Sequence, residues 1–128
     1  NVSGKKIAAW GLAFKPNTDD IRFAPSLYII EELLKDGYEI TAYDPAAMEN
    51  VKRQMGDRIT FAENMYDALS GADALLVLTE WNEFMQADLD KLKSRLNQPV
   101  IIDGRNLYSP DTMKQKGFTY ISTGRATV

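Results

Sequence analysis

The chain has no cysteine and no histidine among its 128 residues. That excludes thiol nucleophiles, disulfides, His-Cys zinc sites and imidazole general bases within this polypeptide, and no metal site is expected. The glycine-rich G-x-G-x-x-G turn of a dinucleotide cradle is missing as well. The first apolar run, IAAWG from Ile7, leads into GLAFKPNTDDIR (11–22), which holds a single glycine, Gly11. No apolar stretch approaches the ~18 residues that span a bilayer, and the N-terminal NVSGKK lacks the apolar core of a signal peptide, so a cytoplasmic location is expected. Neither sign of charge dominates: 15 basic and 18 acidic residues give a formal charge of −3, which argues against broad attraction to nucleic acid or anionic lipid. Any chemistry must come from carboxylates, lysines and arginines, or from groups outside this chain.

What is present suffices for a core, with 45% hydrophobic and 26% charged residues over a length typical of one globular domain, taken as 1–128. Short β-branched or apolar runs alternate with helical patterns. The expected strands cover 5–12, 39–45, 58–62, 72–79, 99–104 and 118–122. Helical spacing spans Ser26 to Lys35, with Leu27, Ile30, Leu33 and Leu34 on one face and Asp36-Gly37 as the stop. Weaker or shorter helices are expected at Met48–Met55, Tyr66–Leu69, Asp88–Leu96 and Pro110–Lys116. Strands alternating with helices imply parallel pairing and right-handed crossovers. The fold class is therefore α/β: a Rossmann-like, doubly wound parallel sheet of about six strands in the order 3-2-1-4-5-6, three layers deep.

Ligands of such sheets bind beyond the carboxyl ends of the strands, near the switch between strands 1 and 4. The segment after strand 1, AFKPNTDDIRFAPS (13–26), is far longer than the ~2–6 residues usual for a βα connection. Pro16 and Pro25 bracket it, and Ser26 is expected to cap the following helix. Lys15 and Arg22 are cations suited to phosphate or hydroxyl groups; a plain alternative is that Asp19 and Asp20 pair with them on a solvated loop. After strand 2, Asp44-Pro45 stands either as a strand terminator and cap or as a ribose-binding acid. After strand 4, TEWNEF (79–84) places Trp81 and Phe84 three apart, a spacing that packs a helix onto the sheet. Strand 5 ends in IIDGRN (101–106), where Gly104 permits a sharp turn and Arg105 leaves at the same sheet edge as Lys15.

GLAFKPNTDDIRFAPS, followed by IIEELLKDG, AYDP, ADALLVLTEWNEF and VIIDGRN, closely resembles the C-terminal domain of the UDP-glucose/GDP-mannose dehydrogenase family, with the motifs in the family's order from about Lys5 to Tyr120. TEW and DGRN are most similar to the UDP-glucose branch. The resemblance implies a UDP-sugar-binding domain of an NAD-dependent UDP-glucose 6-dehydrogenase, an oxidoreductase that makes UDP-glucuronate. It implies that Phe14 and Lys15 meet the UDP-sugar, that Arg105 reaches the sugar or the adjoining cleft, and that Arg22 points toward NAD. It also implies an N-terminal domain that holds most of the NAD and a central helix that forms a homodimer, both outside this chain. The family's nucleophilic cysteine is absent here, so no catalytic residue is assigned, and the piece alone is expected to be inactive. The start at NVSGKK, without an initiator methionine, fits a fragment of a longer enzyme.

Two other classes of function stand beside this one. A stand-alone NAD- or CoA-binding module would rest on the fold and Asp44. An interaction domain would present exposed Trp81, Phe84 and Tyr108 as an assembly surface. Within the resembling family, a UDP-ManNAc or GDP-mannose enzyme is the neighbouring alternative.

Overall fold

A computed structural model describes residues 6–12, 25–79, 81–104 and 106–122. Six parallel strands form one sheet: β1 (Lys6–Trp10), β2 (Glu39–Tyr43), β3 (Thr60–Phe61), β4 (Ala74–Val77), β5 (Val100–Asp103) and β6 (Thr119–Ser122). Their order is β3-β2-β1-β4-β5-β6, the order expected from the alternation of strands and helices. β1 and β4 lie at the centre and are buried on both faces, which explains their unbroken apolar runs. The edge strand β6 alternates exposed and buried residues.

The helices are α1 (Pro25–Lys35), α2 (Met48–Met55), α3 (Asn82–Met85), α4 (Leu89–Arg95) and α5 (Pro110–Gln115). α1 and α2 cover one face, where Leu27, Ile30, Val51 and Met55 pack on Ile7, Ala9, Ile40, Ala42, Ala74 and Leu76. On the other face Phe84, Leu92 and Met113, from α3, α4 and α5, pack with Ala8, Trp10, Leu75, Val77 and Ile101. Alternate residues of β1 thus enter opposite cores, as the two-residue strand period dictates. Ala8 and Ala9, both fully buried, let the two helical layers approach the central strand closely.

α1 stops where its sequence says it should. The Tyr38 N–H donates to Leu33 O and the Gly37 N–H to Leu34 O, both at 3.1 Å, with Gly37 at φ 90°. These are the bonds of a Schellman turn. The expected Tyr66–Leu69 helix is a single 3-10 turn, Asp67–Leu69, and Asn64 Oδ1 accepts from the Tyr66 and Asp67 N–H groups before it. β3 is shorter than the expected 58–62 run, and α3 has no counterpart among the expected helices because four residues are too few to show a period.

On the α1 side, β5 and β6 are covered less completely. Val100 and Ile102 remain partly exposed, and Ile121 is 37% exposed. An open cavity of about 240 Å³ lies there, lined by Ile7, Ile29, Leu33, Tyr38, Leu76 and Ile102. It adjoins the start of β1 and the end of α1, away from the strands' carboxyl ends. Among the described residues no helix is long and apolar enough to cross a membrane.

Candidate functional site

The strand ends align. The register pairs Trp10 with Tyr43 and with Val77, Val77 with Asp103, and Asp103 with Ser122, so five strands finish in one row. The ladder continues one step past them: Gly11 N–H donates to Tyr43 O at 2.8 Å, Leu78 N–H to Trp10 O at 2.9 Å and Gly104 N–H to Val77 O at 2.9 Å. The segments that follow β1 and β5 therefore leave the same edge with only β4 between them, roughly 10 Å apart at two strand spacings.

Each departing segment is held at its root by a buried aspartate. Asp44, with no exposed surface, accepts from Leu12 N–H at 2.7 Å and from Ala46 and Ala47 N–H at 2.8 Å each. Trp81 Nε1 donates to the same carboxylate at 3.3 Å. Asp103, 1% exposed, accepts from Leu107 N–H and from the Tyr120 hydroxyl, both at 2.6 Å. These bonds repay the desolvation that a lone buried carboxylate would suffer. Asn106, just past the DGR turn, has φ 58°, a value asparagine tolerates better than most residues.

The network runs on into the aromatic core. Tyr120 stacks edge-on to Tyr108 at 6.2 Å, and the buried Tyr108 hydroxyl donates to Phe84 O at 2.5 Å. Burial, then the neighbouring Asp103 carboxylate, pushes the Tyr108 phenol far above its ordinary range, so it acts only as a protonated donor. Nearer the edge, Glu83 and Tyr43 influence one another electrostatically. Partial burial and then Asp44 push the Glu83 carboxyl upward. Partial burial and then the Glu83 carboxylate push the Tyr43 phenol up.

Phe14, Lys15, Arg22 and Arg105 lie outside the described residues, as do Asp19, Asp20, Glu80 and the tail from Gly124. Several other expectations change. Ser26 is not the cap of α1: the helix begins at Pro25, and the Ser26 hydroxyl donates to Leu12 O at 2.7 Å. Phe84 and Tyr108 do not form an exposed assembly surface. Phe84 is fully buried and stacks on Trp10 at 4.9 Å, and Tyr108 is 6% exposed. Trp81 is half-buried and turned toward Asp44. The core-packing reading of TEWNEF holds because a short helix can seat Phe84 only against the sheet it follows.

Among the described residues of the β1–β2 edge, Gly11 and Asp44 serve the protein's own packing. Gly11 has φ 98°, and a Cβ there would stand 2.5 Å from Thr79 Cβ, so this glycine serves close strand packing. Asp44 is enclosed by the protein's own N–H groups, which suits a terminator rather than a ribose acid. The Asp103–Tyr120 contact was not foreseen from sequence; only the DGR turn hinted that the end of β5 is special. Among the described residues, no three His, Cys, Asp or Glu side chains gather as a metal site.

Residues 8–110 match the model of the UDP-glucose/GDP-mannose dehydrogenase family, UDP binding domain. The chain belongs to this family. It is 44% identical over 127 residues to the UDP-glucose 6-dehydrogenase of Pseudomonas aeruginosa, a match covering 95% of this chain. It is likewise 44% identical over 128 residues to the UDP-glucose 6-dehydrogenase TuaD of Bacillus subtilis, covering all of it. The chain spans about 28% of the length of these curated relatives. Among solved structures, an NDP-N-acetyl-D-galactosaminuronic acid dehydrogenase from Methanosarcina mazei superposes with a TM-score of 0.82 at 33% identity, over 95% of this chain and 25% of that one. A UDP-glucose dehydrogenase from Pyrobaculum islandicum gives 0.79 at 27% identity, over 98% and 26%. The fold makes the carboxyl edge the place to seek a ligand.

Proposed function

We propose that this UDP binding domain supplies one wall of the nucleotide-sugar site in a longer NAD-dependent UDP-glucose 6-dehydrogenase. The observation that carries the reading is the common edge from which the β1 and β5 segments depart, one bearing Phe14 and Lys15 and the other Arg105. Cations on two segments whose stems leave the sheet about 10 Å apart suit a nucleoside diphosphate joined to a sugar, with lysine acting as a point charge and arginine as a two-pronged donor. Phe14, the sequence neighbour of Lys15, would contribute an aromatic ring to the same site. Arg22 is directed to the dinucleotide, whose main cradle belongs to the rest of the longer protein. This wall binds and orients; the hydride acceptor and the nucleophile come from elsewhere, so the domain alone turns nothing over.

Lys15→Ala and Arg105→Ala in the full-length enzyme test the reading. Loss of one charge-assisted contact to a phosphate or sugar is worth about 1.5–3 kcal/mol, so kcat/KM for UDP-glucose is expected to fall roughly 10- to 100-fold while the variants melt like the parent. Unchanged kinetics in both would remove the assignment. Parallel runs with UDP-ManNAc and GDP-mannose identify the sugar, and titration of the isolated domain shows whether one wall suffices for measurable binding.

A further inference from the structure

We infer that the open face of β5 and β6 on the α1 side seats an amphipathic helix of the same longer polypeptide, from the stretch that leads into β1. The inference goes beyond the nucleotide-sugar reading and needs only that this domain is part of a longer chain. The register places Ala9, Leu76, Ile102 and Ile121 in one row across the sheet. Exposure grows along it: Ala9 is fully buried, Leu76 is 7% exposed, Ile102 is half-buried and Ile121 is 37% exposed. The row thus leaves the α1–α2 core and stays apolar out to the edge strand. That face is not composed for water. Where β2 and β3 are incompletely covered on the opposite side, they carry Glu39, Thr41 and Thr60. β5 instead turns Val100 and Ile102 to the α1 side and Ile101 to the other, the pattern of a parallel strand covered twice.

Topology explains why the domain leaves this face bare. α4 and α5 are the crossovers into β5 and β6, and right-handed connection puts them on the side of Leu92 and Met113, opposite α1. Among the described residues no later helix returns to the α1 side, so the cover comes from beyond them. The place of the cavity selects its source. The opening of about 240 Å³ is lined by Ile7, Ile29, Leu33, Leu76 and Ile102, and Asp36 is the only charge among its lining residues. Such a lining takes leucine- or isoleucine-sized side chains, not a charged ligand. Ile7 is the second residue of β1, so a segment running into β1 meets the cavity first, at the amino edge of the sheet. More than two-thirds of the length of the curated relatives lies outside the match, ample for such a helix. A helical stripe roughly 100° wide is enough to cover Ile102 and Ile121 together while its polar side faces water.

The test uses the full-length enzyme. Ile121→Cys places a thiol on the open face, and Ser94→Cys places one on exposed α4, on the other side of the sheet. Alkylation, followed by mass spectrometry of each peptide, is expected to run on the order of 10-fold slower at position 121 than at position 94, because the covering helix must first lift away. Thr119→Cys, exposed on the same face as Ile121, decides if Ile121→Cys fails to fold. A benzophenone amino acid in place of Thr119 then reports what lies over the face, in enzyme assembled from isotopically heavy and light subunits. The expected cross-link joins peptides of one subunit and ends in the stretch just ahead of residue 1. Equal alkylation at 121 and 94 shows an open face and overturns the inference. Heavy-to-light cross-links give the face to a second copy, and links to residues after 128 give it to a following segment; either overturns it. Neither readout depends on UDP-glucose turnover, so unaltered kinetics of Lys15→Ala would remove the site assignment and leave this inference standing.

Discussion

Tyr108 shows how a single residue ties the candidate edge to the core. Its hydroxyl is buried, remains protonated because burial and Asp103 oppose its ionisation, and donates to the carbonyl of Phe84 at the heart of α3. Tyr108→Phe keeps the ring against Tyr120 but takes the phenolic donor from that carbonyl, which retains the longer bond from Ala87 N–H at 3.3 Å. The expected loss is about 1 kcal/mol of stability by urea denaturation, the net worth of one hydrogen bond. A variant as stable as the parent would mean that water or a shifted donor satisfies the carbonyl. None of this could be read from sequence, where Tyr108 is one of six tyrosines and nothing marks its partner. Asp44 is different. Its place between an apolar run and a proline allowed a strand terminator or a ribose-binding acid, and the structure shows one of its oxygens on its own turn and the other reaching across to Leu12.

At the level of the element, the stops are the most legible features. Gly37 occupies φ 90° at the end of α1, and a Cβ there would meet nothing within 4 Å, so only the backbone conformation resists substitution. Gly37→Ala should therefore destabilise the domain by about 1 kcal/mol, and Gly37→Asn by less, because asparagine visits this region more readily. Equal melting temperatures for all three would show that the turn relaxes without strain. α5 ends with the same pattern: Phe118 N–H donates to Met113 O, and Gly117 N–H to Lys114 O. Both stops were visible as a charged residue followed by glycine. α3 was not visible: four residues complete scarcely one turn, and its formation depends on Phe84 finding Trp10.

For the molecule as a whole, the two cores meet only through the sheet. Ile7 and Ala9 face one, Ala8 and Trp10 the other, so losing β1 would empty both at once. Heat or urea should consequently unfold the domain in a single transition, with far-UV circular dichroism and the fluorescence of fully buried Trp10 changing together. Two separated transitions would show instead that the α1–α2 half and the α3–α5 half are independent units.

The alternation of apolar strands with helical patterns, the stops at Gly37 and Gly117, and the order of the motifs from GLAFKPNTDDIR to DGRN were determined by the sequence itself. They depend on local periodicity and turn chemistry, which short windows carry. The roles of Asp44, Ser26, Asp103 and Tyr120 were decided only by the tertiary structure. Their partners lie 32, 14, 4 and 17 positions away, and the first and last are brought within hydrogen-bond distance by the parallel register that finishes five strands in one row, while Ser26 is brought to Leu12 by the packing of α1 on the sheet. A polar residue in a sequence shows what it could bond; burial beside one particular backbone group decides what it does bond.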